Sequence, residues 1–325
     1  MIWFSASHAV AQVVMVLSVC SAIALAALLV LLVIRRDTQE KHRKSKRARL
    51  IWLSREILGA DEAEAAELVR QSRPDELLEA CLQLYQLVRG TDRKQLTEFV
   101  ERYDLLAKVE KRLSSRLAPR RVDAIRTLER IGSHRAIDLL THMMIRDRAL
   151  TVRQEAAAGL ARLDALPKPT VVVAVLEMET RPITRLDCAL LRSMAVREPE
   201  DMLVLSRRIL PPGLKAAVVE ALGWIPNFGG LPEIKKAASD ENVDIRCAAL
   251  RAACKIGHPA VRNWIEFLLH DADETARAQA AMTAGALKLR KFTPVLEQLS
   301  HDFSPWVRMR SKEALKRMRL EVPDA

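Results

Sequence analysis

Residues 240–256 (DENVDIRCAALRAACKI), 271–287 (DADETARAQAAMTAGAL) and 302–318 (DFSPWVRMRSKEALKRM) are successive copies of one pattern, each starting 31 residues after the last. In each, an aspartate is followed six residues later by an arginine: Asp240 and Arg246, Asp271 and Arg277, Asp302 and Arg308. Asp147 and Arg153 (DRALTVR) repeat that spacing three periods earlier. The two registers between should place a base near 184 and 215, where Arg185 and Lys215 stand, with Glu179 six residues before Arg185. Arg121, with Ala124, Leu128 and Ile131, supplies an earlier copy one residue out of phase, which makes about seven.

Apolar positions keep the same register. Three residues after the base come Ala156, Val218, Ala249, Ala280 and Ser311, and ten after it Leu163, Ile225, Ile256, Leu287 and Met318. Offsets of three, seven and ten share one helix face, so each base opens a helix whose inner stripe runs from small to large. Shorter apolar segments precede these helices, at 136–145, 171–178, 202–210, 234–238, 261–269 and 295–299. Prolines cluster at the junctions, where a fixed φ and a missing N–H are tolerated. Each unit therefore reads as a helical hairpin. One hairpin cannot bury its apolar face alone, whereas stacked neighbours share a continuous core, so the fold class is an all-α solenoid.

The paired short helices, the turn Asp with Arg six residues on, and the alanine-rich second helix resemble HEAT repeats, especially the short bacterial variety, over residues 119–320. That resemblance implies that Asp147, Arg153, Asp240, Arg246, Asp271, Arg277, Asp302 and Arg308 form a structural ladder between neighbours and take no part in catalysis. The copies around Arg185 and Lys215 lack the turn Asp and carry Pro211-Pro212, so an irregularity is expected there. Residues 50–118 read as four or five further helices that cap or extend the solenoid, with Pro74 opening one and Gly90 just past its end.

The charge is unevenly spread. The chain carries a net +11, yet residues 35–49 alone hold Arg35, Arg36, Lys41, Arg43, Lys44, Lys46, Arg47 and Arg49 against two acids. The 276 residues beyond carry only +5, too little for a nucleic-acid surface, and no nucleic-acid partner is expected. Residues 13–34 (VVMVLSVCSAIALAALLVLLVI) contain no charge, glycine or proline. Twenty-two residues at about 1.5 Å each reach roughly 33 Å, enough to cross the hydrocarbon layer. The run is too long, and its N-terminal flank too free of Lys and Arg, for a secretory signal, so it reads as an uncleaved anchor. Eight bases follow it and none precedes it, which puts residues 1–12 outside the inner membrane and the repeats in the cytoplasm. The basic segment would then meet anionic lipid head groups. Residues 321–325 form a short tail.

No reaction is legible. The five cysteines form no CxxC pair, and there is no Gly-rich phosphate loop, GxSxG or HExxH. HEAT-like di-iron deoxyhypusine hydroxylases carry His-Glu dipeptides as metal ligands, but all seven histidines here precede other residues, and neither metal nor cofactor is expected. HEAT-like folds also occur in alkylpurine DNA glycosylases and phycobilin lyases, which makes an enzyme using the concave groove the alternative reading. Nine residues after the bases stand Arg130, Arg162, Trp224, Lys255 and Arg317, joined by Arg126, Arg251 and Arg310. Stacking aligns these into a column, and Trp and Arg are residue types common at interface hot spots, so the column is the candidate partner-binding face. The reading is thus a membrane-anchored cytoplasmic scaffold or adaptor for a membrane-associated protein partner. Anchored bacterial HEAT proteins of this layout also resemble accessory partners of membrane glycosyltransferases.

Overall fold

The computed structural model describes residues 62–319, which fall into two compact units divided between Ala107 and Lys108. The apolar run 13–34, the basic segment 35–49, residues 50–61 and the tail lie outside the described residues. Among the described residues every regular element is a helix, and none is long and apolar enough to cross a membrane.

In the first unit, α1 (Glu62–Gln71), α2 (Pro74–Leu84) and α3 (Thr91–Arg102) bury Leu77, Ala80, Cys81, Leu84, Leu96 and Val100. Pro74 opens α2 where its missing N–H costs nothing. Gly90 does not close α2. It stands immediately before α3 at φ +63°, a backbone state that glycine adopts without strain, and α2 ends six residues earlier. Burial pushes the Cys81 thiol up to about 12, so it is inert packing. Burial likewise lifts Tyr85 to about 12, and its hydroxyl donates to Thr97 Oγ1 at 3.0 Å.

From α4 (Ala107–Leu113) onward the helices alternate as first and second members of hairpins. Second members are α5 (Ala118–Ile131), α7 (Leu150–Arg162), α9 (Arg185–Arg197), α11 (Pro212–Leu222), α13 (Val243–Ile256), α15 (Glu274–Ala286) and α17 (Pro305–Arg319). First members between them are α6 (His134–Arg146), α8 (Pro169–Val175), α10 (Pro199–Ser206), α12 (Leu231–Ala237), α14 (Arg262–Leu269) and α16 (Thr293–Leu299). Each second helix from α5 to α17 packs on the next, so they form a continuous row.

Small side chains make that row possible. Ala156, Ala249, Ala280 and Ser311, three residues after the base, are fully buried, as are Leu222, Ala253 and Ala284 at offset seven. At offset ten Leu163, Ile256 and Leu287 are only half-buried, because α7, α13 and α15 close at or before them. Two glycines fix the closest approach. A Cβ at Gly285 would lie 2.6 Å from Ala314 Cα, and one at Gly223 2.9 Å from Ala252 Cα, so neither position admits a side chain without moving backbone.

The turns are held by rungs. Asp147, Asp240, Asp271 and Asp302 each accept from the amide two residues on, at 2.8–3.0 Å. The base of the preceding hairpin then reaches across. Arg246 donates from Nε and Nη2 to Asp271 at 2.8 Å each, and Arg277 grips Asp302 at 2.9 and 3.0 Å. Arg121 holds Asp147 likewise at 2.7 and 2.8 Å, and Lys215 makes one bond of 2.6 Å to Asp240. Each of these arginines also donates Nη1 to carbonyls of its own turn, as Arg277 does to Asp271 and Ala272 at 2.9 Å. Burial pushes the Asp147 and Asp240 carboxyls up, but the bonds from Arg121 and Lys215 and from the turn amides outweigh it and hold both below the ordinary range. For Asp302 the Arg277 bonds are the foremost cause of the same lowering.

The irregular third hairpin departs as its sequence does. Arg185 and Glu179 do not form a rung; Arg185 is exposed at the start of α9. The pair is Arg181 and Asp187, two bonds of 2.7 Å, with Asp187 fully buried and capping Thr184. The base precedes the acid, again by six. Arg153 has no turn aspartate to reach: it bonds Glu177, and its Nε is buried without a partner.

Candidate binding surface

The column marked by sequence lies along the row of second helices, but it is not a stripe of free cations. Arg126 donates to Glu155 at 2.8 Å and Arg162 to Glu129, both pairs tying α5 to α7. Glu220 on α11 takes Arg192 from α9 and Arg251 from α13, the latter at 2.7 Å, so one carboxylate joins three hairpins. Burial pushes Glu220 up, yet the two arginines more than offset this and keep it below its usual range. On α17, Glu313 accepts from Arg310 at 2.9 Å and Arg317 at 2.7 Å. Arg130 is exposed on α5.

Trp224, just beyond α11, carries Lys255 Nζ 3.9 Å and the Arg192 guanidinium 5.9 Å from its ring centre. These contacts also join neighbouring hairpins. Most of the column therefore serves to lace the repeats together, with carboxylates of adjacent hairpins cancelling much of its charge. Cys247 is buried and Cys254 half-buried, both thiols raised by burial. Among the described residues no three His, Cys, Asp or Glu side chains converge as metal ligands, and His270 and His301 are exposed.

A different feature of the row is open. Between α15 and α17 lies a cleft of about 430 Å³ walled by Ala278, Gln279 and Met282 on one side and Trp306 and Arg310 on the other. Trp306 is 62% exposed although it is the largest side-chain type, and Met282 supplies a soft, adaptable floor. Gln279 Nε2 is buried in the cleft wall without a hydrogen-bond partner. An amide donor left unpaired there carries a desolvation cost that would be relieved if the side chain turned to meet an arriving carbonyl. The arrangement suits an apolar side chain flanked by a backbone carbonyl, with Glu274 and Arg310 at the polar rim.

Sequence reasoning did not single out Trp306, Met282 or Gln279. Its one available signal was the residue two before the base, Trp306 where the neighbouring copies have Thr275 and Asp244. A second cleft of about 660 Å³ opens on the turn edge beside Arg207, Lys215, Glu233 and Asp240, where Arg207 pairs with Glu233 and Lys215 with Asp240.

No family model and no curated protein matches the chain. Solved structures similar in fold include human deoxyhypusine hydroxylase, 14% identical, covering 86% of this chain and 99% of that one with a TM-score of 0.32. An engineered protein is 14% identical over 84% of this chain and 95% of that one at 0.34. A designed armadillo repeat protein is 16% identical over 83% and 100% at 0.21. The all-α solenoid is read from the chain's own stacked hairpins and rungs.

Proposed function

We propose that the protein is a scaffold held at the cytoplasmic face of the inner membrane, presenting the α15–α17 cleft to a protein partner. The observation that carries the reading is the exposed Trp306 beside Met282 and the unpaired Gln279 amide, in a row where Trp224 and most of the arginines marked by sequence are spent on holding the repeats together. The apolar run 13–34 supplies the anchor and the eight bases of 35–49 the orientation and the affinity for anionic lipid. Anchoring confines the scaffold to the two-dimensional space of its partner and turns a weak contact into an effectively intramolecular one. A membrane protein partner, of which a glycosyltransferase is one class, fits that mechanism.

The test is cross-linking in membranes of the full chain and of Trp306→Ser, with Arg290→Gln as an exposed control, followed by mass spectrometry. A partner captured by the wild type and the control but depleted about thirtyfold in Trp306→Ser supports the reading, the size following from the 2 kcal/mol or so of a buried aromatic anchor. Equal capture by all three removes the cleft from the account.

A further inference from the structure

The last described helix presents a face that the inner helices keep covered. On α13 the stripe facing the next hairpin reads Arg246, Leu250, Cys254, and on α15 it reads Arg277, Ala281, Gly285. Leu250 and Ala281 are fully buried there, and Gly285 touches Ala314. On α17 the same offsets are Arg308, Lys312 and Lys316, followed one turn on by Arg319. Lys312, Lys316 and Arg319 are exposed, and no hydrogen bond or ion pair with a described residue reaches them. A lysine where Gly285 sits would drive into backbone if another helix packed as closely as α17 packs on α15. α5 carries Glu129 at this offset and α7 still packs on it at a wider approach, so what sets the α17 face apart is its three exposed cations in a row.

Arg308 shows what it is built for. Its Nη1 donates to the carbonyls of Asp302 and Phe303 at 2.9 and 3.0 Å, the posture in which Arg277 and Arg246 are held by their own turns. In those arginines, the remaining edge, Nε and Nη2, takes both oxygens of an aspartate in the next turn. In Arg308 that edge is oriented by the same two carbonyls and meets no described residue. A guanidinium fork held in place loses little entropy on taking a carboxylate bidentately.

We infer that this face docks an acidic turn of a partner protein, an aspartate seating on the Nε–Nη2 edge of Arg308 while flanking acids meet Lys312 and Lys316. The chemistry is that of the chain's own rungs, offered outward. The site is separate from the Trp306 cleft, and either can fail without the other.

The experiment uses the full chain in phosphatidylcholine nanodiscs at about 150 mM salt, where exposed charges beyond about 8 Å are screened. The probe is a fluorescent, end-blocked peptide HDADETA, the turn sequence of residues 270–276 that Arg246 holds. Anisotropy should show saturable binding that falls at least tenfold in Arg308→Gln and in the peptide with its first Asp replaced by Asn. Arg308→Lys, which keeps the charge and loses the fork, should fall nearly as far. Lys312→Glu with Lys316→Glu should abolish binding, and Arg290→Gln should leave it unchanged. Far-ultraviolet circular dichroism confirms that each variant is folded. Three results overturn the inference: no saturable binding; equal loss in Arg308→Gln and Arg290→Gln, which leaves a solvated basic cap; or loss of peptide binding to the wild type once the nanodiscs contain phosphatidylserine, which assigns the face to a lipid surface.

Discussion

Replacing Gly285 by alanine adds one methyl group at the tightest point of the stack. Its Cβ would stand 2.6 Å from Ala314 Cα and 2.7 Å from Ala314 Cβ, where carbon atoms prefer about 3.5–4.0 Å. The obstructing atoms belong to a helix backbone and its first side-chain carbon, so no rotamer change relieves them. α15 and α17 must part by about 1 Å, loosening the buried Ala281, Ala284 and Ser311 contacts as well. Overpacking of this kind costs about 1–3 kcal/mol, and the better helix propensity of alanine returns at most about 1 kcal/mol. A net loss of about 1–2 kcal/mol is expected. Gly213, in the first turn of α11, has nothing within 4 Å of its virtual Cβ and is the internal control. Gly213→Ala should be neutral or stabilising by up to about 1 kcal/mol. Urea unfolding of the detergent-solubilised chain, followed by circular dichroism and by amide exchange within α15 and α17, measures both. If Gly285→Ala is as stable as Gly213→Ala, the close packing of the second helices is misread.

Three further changes probe the rungs and the core. Ser311 is fully buried with an unpaired hydroxyl at a position that is alanine in four other hairpins, so Ser311→Ala should raise stability by about 1 kcal/mol in the same unfolding assay. Asp302→Asn removes the charge that Arg277 grips, in a pair whose side chains are 17% and 10% exposed. It should cost about 1–2 kcal/mol, whereas Asp138→Asn on the exposed side of α6 should cost almost nothing. The rung carboxyls Asp147, Asp240 and Asp302 titrate below their ordinary range, as does Glu220. Groups with depressed folded values stabilise above their unfolded pKa of about 4 and lose that contribution as pH falls through the folded value. The melting temperature should therefore be flat from about pH 5 to 8 and drop below about pH 4, with a shallower acid limb in Asp302→Asn.

The second helices were legible because their period is written in small residues and one base, signals that survive without any neighbour in view. Ala249 and Ala280 are alanines because a helix passes over them, and the aspartate precedes its arginine by six because both belong to one turn. The rung itself joins an arginine to the aspartate 25 residues further on, and the lacing pairs run one repeat apart, Glu220 to Arg251 over 31 residues. Reading charges one at a time along a helix makes such arginines look free. Matching acids and bases one period apart would have found their partners. The Trp306 cleft depends on how far two helices are offset where they cross, which side-chain types alone do not specify. At Arg181 and Asp187 the spacing of six was present, but in reversed order, and Arg185 was the more obvious base.

The central claim, a membrane-held scaffold with a partner in the α15–α17 cleft, is tested most directly by photo-cross-linking. A benzophenone amino acid is placed singly at 275, 282, 306 or 310 in the full chain, and at 290 and 138 as controls, in cells whose membranes are then washed with carbonate. The account predicts one discrete protein adduct, retained in the membrane, from the four cleft positions and not from the controls. Release of the chain by carbonate, or an adduct pattern indifferent to position, contradicts it.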